Sequence, residues 1–191
     1  MKAFNGFKSE ASSTKVPPLP VGTYVAKIKA VKIDGLEPDQ RMIIRVDVCE
    51  GPFTDYFLTQ YKRAKESSKY EPKYKGDYKI RIPNEANTKS QYPESDIRRF
   101  NDMIYRIEQS NSGYHWDWNE NGLVGLLVGI NMVEDEYNGY KFTKIGRLEI
   151  ADDVRKGIVQ PAKKKDQQGD ADDSQYVDKG FTAVETDELP F

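Results

Sequence analysis

Apolar and polar residues begin to alternate just after Pro20. In "TYVAKIKAVKI", Tyr24, Ala26, Ile28 and Ala30 share one side, and Lys27 and Lys29 the other. That period of two predicts a strand. "GLEPDQ" punctuates it as a turn. "RMIIRVDVCE" then alternates again, with Met42, Ile44, Val46 and Val48 inward and Arg45 and Asp47 outward. "GPF" is a second turn, and "TDYFLTQYK" is expected as a third strand, which makes a meander. Residues 61–81 break the rhythm and read as a long excursion, with a short strand at Tyr78–Ile82 closed by Pro83.

The period then changes. In "SDIRRFNDMIYRIEQSN", Ile97, Phe100, Met103, Ile104 and Ile107 recur at helical spacing, and Ser95 or Asp96 can cap the start. Gly113 follows the end. "GYHWDWNENG" is a turn-rich loop. "LVGLLVGINMVEDE" and "YKFTKIGRLEI" are two more strands, joined through Asn138-Gly139, a strong hairpin signal. "DDVRKGIVQP" is a short helical turn and exit. Three strands, a helix and two strands is the order of the OB-fold, a five-stranded Greek-key barrel with its helix between strands three and four. An α+β sandwich of the same elements is the alternative.

Flanking segments lack such periodicity. Residues 1–16 are polar and read as a flexible arm with Phe4 and Phe7 as anchors. Residues 17–160 are the folded domain. From 161 to 191 apolar content is too low to offset ordering entropy, so a disordered acidic tail is expected.

Charge sharpens this division. The chain of 191 residues has a net charge of −2, yet residues 166–191 alone carry −7 and residues 1–165 carry +5. A basic body with an acidic tail points to nucleic acid as a partner. Cys49 is the only cysteine and His115 the only histidine, so an intramolecular disulfide is ruled out and a Cys/His zinc site nearly so. Cys49 reads as structural. No apolar run approaches membrane-spanning length and the start lacks an apolar signal core. A cytoplasmic protein without a membrane partner is therefore expected.

The excursion concentrates the candidate chemistry. It holds Lys62, Arg63, Lys65, Lys69, Lys73, Lys75, Lys79 and Arg81, with Tyr61, Tyr70, Tyr74 and Tyr78 interleaved and only Glu66, Glu71 and Asp77 opposing. Cations neutralise phosphates and release counterions. Flat rings stack on exposed bases, each contact worth about 1–3 kcal/mol. Single-stranded nucleic acid needs that combination. The plain alternative is a solvated charged loop whose tyrosines cover the barrel. Trp116 and Trp118 are further stacking candidates, though Trp is more often a packing anchor. His115 with Asp117 makes a weak metal pair, and "EDE" at 134–136 reads as a solvated loop. No phosphate loop or nucleophile elbow is present, so no catalytic residue, metal or cofactor is expected.

The last five residues, Asp187, Glu188, Leu189, Pro190 and Phe191, resemble the acidic C-terminal tip of bacterial single-stranded DNA-binding proteins, which ends Asp-Asp-Ile-Pro-Phe. The resemblance implies a docking peptide for proteins of replication, recombination and repair. Phe191 would fill an apolar pocket, its carboxylate would meet a basic residue, and Asp187 and Glu188 would meet a basic rim. Within residues 20–160, "GTYVAKIKAVKI", "EGPFTDYF", "SNSGYHWDWNENGLVGLLVGI" and "YNGYKFTKIGRLEIADDVRKG" look like phage-encoded single-stranded DNA-binding proteins with an OB-fold. This implies coating of single strands in the host cytoplasm and leaves a homo-oligomer open. A phage accessory or structural protein and a recombination nuclease are the competing classes.

Overall fold

A computed structural model describes residues 17–84 and 93–161. The expected arm and the acidic tail with its tip lie outside the described residues. Five strands form one antiparallel sheet in the order β3-β2-β1-β4-β5. They are β1 (Gly22–Asp34), β2 (Arg41–Val48), β3 (Asp77–Arg81), β4 (Leu127–Tyr137) and β5 (Tyr140–Glu149). Helix α1 (Tyr56–Ser67) lies between β2 and β3, and α2 (Pro93–Ser110) between β3 and β4. The short α3 (Ala151–Arg155) follows β5.

The alternating segments fold as their period dictates. Ile28, Ile44, Val46, Val128, Ile130 and Leu148 face one core, which α2 closes with Phe100, Met103, Ile104 and Ile107. The helix begins at Pro93, so Ser95 and Asp96 stand in its first turn rather than at its cap. Ile97, expected in the stripe, is exposed. A bulge between Ile28 and Ala30 interrupts the β1–β2 register and turns Ala30 out to solvent. At the β4–β5 turn, Asn138 (φ 50°) and Gly139 (φ 78°) both take the left-handed conformation that a two-residue hairpin requires.

The sheet is open, not a closed barrel. The edge strands β3 and β5 approach each other, but no ladder joins them. The five residues of β3 are too few to continue the sheet far.

The segment expected as a third strand is instead α1. Phe53, Phe57 and Tyr61 recur every four residues toward the protein, while Thr59, Lys62, Arg63 and Lys65 are exposed. Helical spacing thus competes with alternation over this short stretch, and a tertiary contact decides. Asp55, which precedes the helix, is left-handed (φ 56°) and offers no side-chain cap. Asp47 of β2 takes that role. Its carboxylate accepts the backbone N–H groups of Phe57 (2.9 Å) and Leu58 (3.0 Å), and also that of Val48 (3.0 Å). A carboxylate at a helix N-terminus meets both orphan donors and the positive end of the dipole. Asp47, expected outward into solvent, is consequently fully buried.

Candidate nucleic-acid interface

Cross-strand register lines up three rows on the sheet face opposite the core. Asp34, Arg41 and Arg81 form the first, Lys32, Ile43 and Lys79 the second, and Ala30, Arg45 and Asp77 the third. Lys32, Arg41, Arg45 and Lys79 are exposed, and Ile43, at the centre of the second row, is buried among them. Arg45 grips Asp77 with two bonds, Nε to Oδ1 at 2.7 Å and Nη2 to Oδ2 at 3.0 Å. Its guanidinium also lies 4.6 Å from the centroid of the Tyr74 ring. Lys32 pairs with Asp34 at 3.5 Å. Arg41 and Lys79 have no ion-pair partner among the described residues. A strip of exposed cations can pair with successive phosphates.

The excursion folds back beside this face. Tyr74 is half-buried, and its hydroxyl donates to the carbonyl of Val46 (3.2 Å). Burial and then the neighbouring Asp47 carboxylate push the Tyr74 hydroxyl well above the usual tyrosine range. Tyr61 stands 5.8 Å from Tyr74, ring to ring, and its hydroxyl donates to Glu71 (2.8 Å). Lys65 lies 6.0 Å from the centroid of the Tyr61 ring and pairs with Glu71 at 3.8 Å. The structure therefore gathers Tyr61, Lys65, Tyr74 and Lys79 with Arg45.

Other expected site residues are placed differently. Lys62, Arg63, Lys69, Lys73 and Lys75 are exposed along α1 and the following coil, and Tyr70 is 84% exposed. Tyr78 packs against the core, and burial raises its hydroxyl pKa. Arg81 is held between Asp39 (3.3 Å) and Asp96 (3.5 Å). The tip Asp187–Phe191 lies outside the described residues.

Lys32, Arg41 and Arg45 were not among the expected contacts. The signal for Arg45 was its outward position in an alternating strand. What the sequence lacked was the register that sets Lys32, on one strand, level with Lys79, two strands away.

A second aromatic group lies at the β4–β5 hairpin. β1 pairs with β4 only as far as Met132, so the residues beyond form a two-stranded ribbon. Tyr137 and Tyr140 are exposed at its end, with Phe142 beside them. The acidic "EDE" stretch belongs to β4 itself. Glu134 pairs with Lys141 (3.5 Å) and Asp135 with Lys144 (2.5 Å) across the ribbon. Trp116 packs against the core, whereas Trp118 is exposed. His115 is exposed, 4.0 Å from Glu108. Among the described residues, no group of three or more His, Cys, Asp or Glu side chains is placed to hold a metal ion. No described helix is long and apolar enough to cross a membrane.

The chain matches no protein-family model and no curated protein.

Proposed function

We propose that this chain binds single-stranded DNA without sequence preference, coating and protecting it during replication or recombination. The observation that carries this reading is the outer face of β1, β2 and β3. There Lys32, Arg41, Arg45 and Lys79 surround Ile43, and Tyr61 and Tyr74 border the strip. Cations along a strip and rings that border it suit a flexible polyanion with exposed bases. The strand order supports a partly open OB barrel, with α2 at its end. Tyr70, 84% exposed in the coil after α1, offers a further ring in the same basic segment. The role is one of binding rather than catalysis. By its resemblance, the "DELPF" end recruits replication and recombination proteins.

The test is fluorescence anisotropy with labelled oligo-dT and with a duplex of equal length, each across a salt series. Oligo-dT should bind more tightly, and its affinity should fall linearly with the logarithm of salt concentration. Equal affinity for duplex, or no binding at low salt, would overturn the proposal. Incubation of labelled single strands with Mg²⁺ checks the nuclease alternative, and intact strands are expected.

A further inference from the structure

Trp118 is 73% exposed, although it stands on the core. Its ring lies nearly parallel to that of buried Phe100, at 15° and 6.2 Å between centroids. Trp116 leans on both, 6.1 Å from Trp118 and 6.5 Å from Phe100. One face of the Trp118 indole is thus backed by Phe100, and the other is turned to solvent. Its backbone is left-handed (φ 64°), an unfavourable conformation for a bulky residue and a form of strain that clusters at functional sites. The loop carries a second cost. Trp116 Nε1 and Tyr114 Oη are buried without a hydrogen-bond partner among the described residues.

Charge decides what such a shelf can receive. Asp117 and Glu120 flank Trp118 in the chain, and Glu108 of α2 accepts the Trp116 backbone N–H at 2.8 Å. Residues 108–120 contain three acids, Glu108, Asp117 and Glu120, and no Lys or Arg. A phosphate chain is repelled by that rim. A cation is drawn to it and finds the face of an indole, the strongest of the aromatic cation acceptors. The same chain carries the complement. Residues 61–81 hold eight Lys or Arg against three acids, and Lys62, Arg63 and Lys69 are exposed at and beyond the second half of α1.

We propose that the Trp118 shelf docks the basic end of α1 from a second copy of this chain. Two different surfaces meet, so the contact is heterologous, and each copy keeps one shelf and one basic helix end to offer to further copies. Trp118 receives Lys or Arg on its free face, and Asp117 and Glu120 pair with the neighbouring cations.

Sedimentation of the full chain without nucleic acid tests this independently of the DNA-binding proposal. Average mass should rise with protein concentration and fall with added salt. Trp118→Asn suits the left-handed backbone, so it should fold, and it should weaken self-association about tenfold. The charge-reversed shelf (Asp117→Lys with Glu120→Lys) and the charge-reversed helix (Lys62→Glu with Arg63→Glu) should each stay monomeric alone and associate when mixed. A wild-type chain that is monomeric at every concentration overturns the proposal, as does a mixture that stays monomeric. If Trp118→Asn keeps full self-association but loses affinity for oligo-dT, the shelf serves nucleic acid instead and the proposal is wrong.

Discussion

Burying Asp47 under α1 exchanges water for three backbone N–H donors, those of Val48, Phe57 and Leu58. Asp47→Ala leaves two helix-end donors without their acceptor. It should cost about 2–4 kcal/mol, read from the urea midpoint, with α1 the element that frays. Next to it, Tyr74 gives a pH signature. Its hydroxyl pKa lies above the ordinary tyrosine value of about 10, raised first by burial and then by Asp47. A folded-state pKa above the unfolded one means the contribution is complete below about pH 10 and is lost as pH rises from there. Tyr74→Phe should therefore flatten the alkaline decline in stability. At neutral pH it should cost about 1 kcal/mol, from the hydrogen bond to Val46. Titration of thermal stability from neutral to strongly alkaline pH checks both signs.

Among the elements, β3 depends on a close approach at its entry. A Cβ at Gly76 would lie 2.4 Å from the Val46 carbonyl oxygen and 2.8 Å from the Phe57 and Tyr74 rings. The Gly76 carbonyl accepts the Val46 N–H at 2.9 Å, so the backbone there cannot withdraw freely. Gly76→Ala should destabilise the fold by about 1–3 kcal/mol and shift the Tyr74 environment, visible in near-UV circular dichroism. The face that β3 completes gives the binding prediction. Arg41→Ala with Lys79→Ala removes two exposed cations from adjacent rows. Affinity for oligo-dT should fall for every sequence, and the salt slope should drop by about 0.7 per lost phosphate contact. An unchanged slope would move the strand away from this face.

At the scale of the whole molecule, the charge is divided along the chain. Residues 166–191 carry −7 against +5 for the rest. Opposite charges tied to one chain compete with any polyanion for the basic face. Deleting residues 166–191 should tighten oligo-dT binding, most clearly at low salt, where screening is weak. Looser binding after deletion would sink the idea of self-competition. The open sheet bears on this scale too, because it leaves β3, which carries Lys79, as an edge strand.

Local periodicity was enough for those elements whose pattern has one solution. Alternation gave β1, β2 and β5, helical spacing gave α2, and Asn138-Gly139 gave the hairpin, because side-chain direction there follows directly from backbone geometry. Composition alone drew attention to residues 61–81 as the basic and aromatic segment. It could not divide that segment into the end of a helix, a coil and an edge strand. "TDYFLTQYK" is compatible with either period, and the choice fell to Asp47, ten residues from the Phe57 N–H that it holds. The outer strip was equally out of reach. Lys32, Arg41, Arg45 and Lys79 come from three strands, and only antiparallel register sets them side by side. Contacts of that kind are paired across the fold rather than along the chain. The sequence by itself therefore determined which stretches carry charge and period, and tertiary structure decided which of those charges face the same way.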